Sequence, residues 1–224
     1  MKWVNYSKFA NIFPDRRATM AHVVVCCSFV QFPSSAKGLA IHMIPSFAPT
    51  AGVRRLAEFA DAACQAPMDE MPERMRAGLA AVAGDAALVP AAACQPGANA
   101  YTRYVLHADP LGRFTIVSLV WGPRQFTPVH GHHTWCAYAV LDGLLTETAF
   151  RYDADTRTAV PSGGVNRAQA SISFAYAGLD EIHKLGNGCD NVGRSIHVYG
   201  VDAARIGTHV NRVVSVAPES AMPV

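Results

Sequence analysis

Charge is scarce in this sequence: Asp, Glu, Lys and Arg make up 16% of the 224 residues, the formal net charge is +2, and no run rich in lysine and arginine appears. Nucleic acid and anionic membrane surfaces are gripped by such runs, so neither is expected as a partner and a small molecule is. Long apolar runs are missing as well. The stretch from Ala21 to Phe32 is interrupted by His22, Cys26, Cys27, Ser28 and Gln31 and falls well short of the ~20 residues that span a bilayer, so no transmembrane helix is expected. There is no internal repeat, no low-complexity tract, no recognisable export signal and no sign of a second globular domain. The six cysteines (Cys26, Cys27, Cys64, Cys94, Cys136 and Cys189) are scattered through a chain too long to need disulfide staples. Reduced thiols in a monomeric cytoplasmic protein are the expectation.

Half of the residues are apolar, enough for one globular core. Residues 1–50 show no sustained period and are interrupted by Pro14, Pro33, Pro45 and Pro49. They read as a poorly ordered N-terminal extension, with Met43 as an alternative start, or as an arm packed on the domain. Residues 51–95 read as a helical segment: apolar residues recur at helical spacing from Val53 to Cys64 and from Met71 to Ala83, the second stretch with Pro72 in its first turn. Residues 96–216 change to short β-rich runs at Tyr101–His107, Arg113–Trp121, Trp135–Leu141, Leu144–Tyr152, Ser171–Ala175, Glu181–Leu185 and Ser195–Val201, with 217–224 as a tail. Gly, Pro, Asn and Asp separate the runs, and Asp142-Gly143 and Asn187-Gly188 look like hairpin breaks. The expected fold is mainly β, a single jelly-roll barrel with N-terminal α-helices packed against it.

The centre of the sequence is Thr127-Pro128-Val129-His130-Gly131-His132-His133-Thr134-Trp135-Cys136. Residues two apart on a strand share a face, so His130 and His132 present both imidazoles to one interior while His133 points the other way. His183, on a later strand, offers a third nitrogen, with Asn187 four residues on. Buried imidazoles with no partner for their nitrogens would cost about 1–3 kcal/mol each, so a bound metal is favoured over three unrelated core histidines. Glu181 shares strand parity with His183 and is a possible carboxylate ligand, though a rim position suits it better. Ser195, His197 and Tyr199 alternate with Ile196 and Val198. The three polar side chains therefore share a face, either lining the interior or facing water from an edge strand. Tyr101 and Arg103 share a face in the same way, and arginine is the side chain that grips a carboxylate through two parallel bonds.

The pattern His130-x-His132 followed by Gly143, with His183 and Asn187 beyond, resembles the two motifs of the cupins. It departs from them in three places. Cys136 stands where most cupins have glutamate, the glycine expected just before His130 is displaced to Gly122, and the second motif's Pro-x-Gly is reduced to Gly178. Without the glutamate, three imidazoles leave the charge of a divalent metal uncompensated, which favours an anionic substrate such as a thiolate.

Over residues 53–215 the set is similar to the thiol dioxygenases of the cysteine dioxygenase family. Tyr101-Thr102-Arg103, Phe114 to Gly122, His130-Gly131-His132, Leu144 to Thr148, His183 and Ser195 to Tyr199 carry that resemblance. It implies an enzyme that holds Fe(2+) on His130, His132 and His183 and binds substrate with Arg103 and Tyr101. Ser195, His197 and Tyr199 would be its catalytic relay, and both atoms of O2 would be added to L-cysteine. An arginine at the position of Arg103 goes with cysteine in that family and a glutamine with 3-mercaptopropionate. His133-Thr134-Trp135, however, is closer to the bacterial mercaptopropionate enzymes and keeps that thiol as the alternative. The resemblance also makes Cys136 and Tyr199 the pair that could form a thioether crosslink, although the animal cysteine lies one residue further from the second histidine. A non-catalytic cupin binding a small ligand is the reading from another class.

Overall fold

The computed structural model describes residues 48–217. The extension expected over 1–50, Met43 with it, and the tail expected over 217–224 lie outside the described residues except for their innermost positions.

Two helices come first. Helix α1, Ala51–Cys64, starts at Thr50, whose hydroxyl oxygen accepts from the Val53 amide at 3.1 Å and donates to the Leu88 carbonyl at 2.9 Å. That arrangement satisfies one of the donors every helix leaves open at its start. Helix α2, Met71–Val82, carries Pro72 in its first turn, where no helical hydrogen bond is lost. Of the expected apolar stripes, Val53, Leu56, Ala60 and Ala63 on α1 and Met75, Leu79 and Val82 on α2 are buried, while Ala57 and Phe59 are half-buried.

The strands are β1 Thr102–Ala108, β2 Thr115–Trp121, β3 His130–His132, β4 Cys136–Asp142, β5 Leu145–Asp153, β6 Thr158–Arg167, β7 Ile172–Ala175, β8 Gly178–Gly186, β9 Gly193–Tyr199 and β10 Asn211–Val213. They form two five-stranded antiparallel sheets, in the orders β1-β2-β9-β4-β7 and β10-β3-β8-β5-β6. This is a mainly β jelly roll with two N-terminal helices, built as two facing sheets rather than one closed barrel.

Asp142-Gly143 and Asn187-Gly188, expected as hairpin breaks, do something else. β4 and β5 belong to different sheets, as do β8 and β9, so both breaks carry the chain across from one sheet to the other. Gly143 makes its turn at φ +80°, and a Cβ there would stand 3.1 Å from the Cα of Gly193. Left-handed backbone and close approach together demand glycine.

The first sheet is covered on both faces. Ile116, Ala137, Ala139, Ile196 and Val198 pack against Val53, Leu56, Met75 and Leu79 of the helices. Val117, Leu119, Trp121, Cys136, Tyr138 and Tyr199 face the other way, towards Leu145 and Leu185 of the second sheet. Leu56, Met75, Leu79 and Ile196 are wholly out of solvent, each contributing about 1.5–3 kcal/mol of burial. The helices thus back a rigid wall whose inner face holds the polar residues of the site.

Candidate metal centre and its cavity

Strand β3 lies beside β8 with His130 directly opposite His183, and the register shifts between His130 and His132. The three rings converge. Their centroids are 5.2 Å apart for His130–His132, 4.6 Å for His130–His183 and 5.0 Å for His132–His183, and one nitrogen from each lies within 4.8 Å of the other two. His133, just past the end of β3, is exposed and points away from the cluster's interior, as the sequence suggested. Gly131 lets the strands approach: a Cβ there would overlap the carbonyl oxygen of Gly178 and stand 3.0 Å from Leu179 Cδ2.

The outer nitrogens show how each ring is held. His130 Nδ1 lies 2.9 Å from the Pro128 carbonyl, so it carries the proton and leaves Nε2 with a lone pair. His183 Nδ1 lies 2.5 Å from Glu147 Oε1, with the same consequence. His132 Nδ1 is buried with no partner among the described residues, so this ring is not secured there as an ordinary hydrogen-bonded core histidine. Burial first, and the neighbouring His183 second, push the His130 imidazole well below its ordinary pKa and hold His132 at about 3. Both rings are therefore neutral donors near pH 7. Converging imidazole nitrogens on a rigid strand pair, one ring having no other partner, fit a first-row divalent metal.

Glu181, the possible carboxylate of the sequence reading, stays away from the cluster and accepts the Tyr176 amide at 3.0 Å. The buried carboxylate is Glu147, 4% exposed, behind His183. Burial raises its pKa, but the hydrogen bond from His183 and the ion pair with Arg167 outweigh that and keep it lowered.

Arg103 is 5% exposed and lines the cavity with the three histidines. Its Nη2 donates to the Tyr101 hydroxyl at 3.1 Å, its Nε has no partner, and it forms no ion pair among the described residues. A buried guanidinium without a counter-anion is costly, and this arrangement leaves it able to bind an anion in the cavity. Tyr101 is fixed by stacking on Trp121, centroids 4.6 Å apart.

Strand β9 runs between β2 and β4, which rules out the edge-strand reading of Ser195, His197 and Tyr199. The Trp121 indole nitrogen, a donor only, gives its hydrogen to Ser195 Oγ at 2.9 Å. Ser195 Oγ lies 2.9 Å from His197 Nε2, and His197 Nδ1 lies 3.2 Å from the Tyr199 hydroxyl. Burial first, then the charge of Arg103, keeps His197 neutral. Assigned from this network, Ser195 donates to Nε2, His197 donates from Nδ1, and the Tyr199 hydrogen remains free for the cavity. Burial raises the Tyr199 pKa well above its ordinary value, so it stays a phenol. Cys136 is opposite Tyr199 across β4 and β9, with Sγ 4.0 Å from His197 Nδ1. Burial first and the charge of Glu147 next push its thiol far up, so it too is protonated. The four described cysteines are free thiols.

His130, His132, His183, Arg103, Cys136, His197 and Tyr199 line one cavity. Tyr101 and Ser195 stand one layer behind, each bonded to a lining residue. The sequence reading missed Tyr138, whose ring stacks on His197 with centroids 4.9 Å apart, and Asn211, which also lines the cavity. It also gave no role to Glu147, although an acid sharing strand parity with the buried Leu145 was a usable signal.

The sequence model of cysteine dioxygenase type I matches residues 92–208 of this chain. Solved structures with a similar chain path are more distant. TT1209 from Thermus thermophilus is 15% identical, TM-score 0.39, covering 49% of this chain and 91% of its own. A Cupin 2 conserved barrel domain protein from Salinispora arenicola is 17% identical, TM-score 0.37, with 53% and 88% covered.

Proposed function

Because the chain belongs to the cysteine dioxygenase type I family, we propose that it is an iron-dependent thiol dioxygenase whose substrate is L-cysteine and whose product is cysteine sulfinate. The reaction balances without a further reductant: one thiol and one O2 give one sulfinic acid, both oxygen atoms ending on sulfur. The observation that supports a thiol carrying a carboxylate is Arg103, buried in the same cavity as the imidazoles with no ion pair among the described residues.

His130, His132 and His183 are the residues that would hold the iron. Iron there would supply a low-pKa environment for the substrate thiol and a place for dioxygen beside it. The chain's own residues do the rest. Arg103, steadied by Tyr101, binds the carboxylate and sets which end of the substrate faces the imidazoles. Tyr199, with its hydrogen directed outward by the Trp121–Ser195–His197 chain, donates to oxygen charge that develops in the cavity. Tyr138 and Trp121 help keep water out. A Cys136–Tyr199 thioether, for which the cross-strand pairing puts the two residues opposite each other, would form by a two-electron oxidation with O2 as the acceptor and would lower the protein mass by two hydrogens on intact-mass measurement.

Oxygen uptake by the iron-loaded protein, followed in parallel with cysteine, 3-mercaptopropionate and cysteamine, tests the assignment. Cysteine giving the highest kcat/KM and stoichiometric sulfinate is expected. A clear preference for 3-mercaptopropionate would replace the substrate, and tight binding of a thiol without oxygen uptake would leave a binding protein.

A further inference from the structure

We propose that Glu147 is a positioning residue for the metal centre, locking His183 in the tautomer and rotation that present Nε2 to the metal. This rests on the metal reading above. Glu147 belongs to β5, the strand that pairs with β8, and its two oxygens are divided between two tasks. Oε1 takes the His183 Nδ1–H at 2.5 Å. Oε2 takes Arg167 Nε at 2.7 Å, Arg167 Nη2 at 2.6 Å and the Tyr138 hydroxyl at 3.2 Å.

The carboxylate is thus anchored from behind and aimed from the front. Arg167 comes from β6, delivered by its pairing opposite Leu145 of β5; its side chain is 18% exposed against 5% for Glu147. Tyr138 joins the group to the stack over His197. The three imidazoles are treated unequally: His130 is held by a backbone carbonyl, His132 Nδ1 by nothing, and His183 by a charge. A carboxylate behind a ligand imidazole fixes its orientation and makes it a stronger donor, and losing one costs about 10- to 100-fold in metal affinity. A plain staple between β5 and β6 would need Arg167 and Glu147 but not the bond to His183.

The test compares Glu147→Gln, Glu147→Ala and Glu147→Ala/Arg167→Met, the last removing both charges so that no unpaired guanidinium spoils folding. The readouts are Fe(II) dissociation constant and, in metal-free protein, the protonated nitrogen of His183 by ¹⁵N NMR. Protonation at Nδ1 is expected in the unaltered chain, with a mixed tautomer and roughly 10- to 100-fold weaker iron binding in the alanine variants. Glu147→Gln, keeping an acceptor, should lie between. A folded double variant with the original tautomer and the original affinity would overturn the proposal. Failure of the unaltered chain to bind iron would count against the metal reading instead, and the tautomer comparison would still decide the role of Glu147.

Discussion

Replacing Arg103 by alanine probes the substrate assignment most directly. The guanidinium is buried, donates one bond to Tyr101 and has its Nε unengaged, so a substrate carboxylate would meet it largely out of water. Truncating one partner of such a charge pair costs about 2–5 kcal/mol, roughly 30-fold to a few thousand-fold in kcat/KM at 1.4 kcal/mol per tenfold. Because the carboxylate is distant from the bonds that change, the loss should fall mostly on KM. Cysteamine supplies the control, being cysteine without its carboxylate, and Arg103→Ala should alter its turnover far less. The assay is oxygen uptake with sulfinate or hypotaurine quantified, for both substrates and both proteins. Equal losses for cysteine and cysteamine would refute the clamp. A second consequence is thermodynamic. Arg103→Met removes a buried charge that has no counter-ion among the described residues, so the substrate-free variant should be more stable than the parent by about 1 kcal/mol or more and unfold at a higher temperature.

Gly131→Ala should force β3 away from β8, since the added methyl meets a backbone carbonyl that has little room to move; destabilisation of about 1–3 kcal/mol by urea titration is expected, with loss of metal uptake. Asp109 is held at about 2, against an ordinary 3.8, chiefly by hydrogen bonds from Arg113, which also bridges to Asp61 of α1. A depressed carboxylate stabilises the fold fully above pH ~4 and progressively less as pH falls towards 2, so the gap in urea midpoint between the parent and Asp109→Asn should shrink over that interval, and a gap constant with pH would refute the account.

Legibility followed alternation. On β9, Ser195, His197 and Tyr199 lie on the cavity side while Ile196 and Val198 face the helices, so a period of two in the sequence grouped the residues by face, and the place of β9 between β2 and β4 decided which face is inside. The helical stripes of α1 and α2 were readable for the same reason, each having one wet face. Strand β2 is buried along its whole length, yet its apolar run still marked it as a strand. Strand β6 was not legible: Pro161, Gly163 and Gly164 interrupt it, and as an edge strand exposed through its middle it has no hydrophobic period to show. Sheet crossing was also hidden. Asp142-Gly143 has the residues of a tight hairpin, and only the packing of Gly143 against Gly193 turns it into a passage between sheets. Glu147 escaped notice because its meaning depends on partners 9, 20 and 36 positions away, at Tyr138, Arg167 and His183.

The charge distribution explains why position 136 suits a cysteine here. Among the described residues, no aspartate or glutamate lines the cavity, and its one permanently charged side chain is Arg103. Glu147 is close by, but it lies behind His183 with one oxygen committed to that ring and the other to Arg167 and Tyr138. It cannot neutralise Arg103 without abandoning them. A carboxylate at 136 would share the cavity with Arg103, a residue whose charge already acts on the Cys136 thiol, and at that range would pair with it in place of a substrate. A protonated, apolar thiol leaves the guanidinium vacant. On the proposed reading, the same distribution favours a thiol that brings a carboxylate to Arg103 over cysteamine, which brings none.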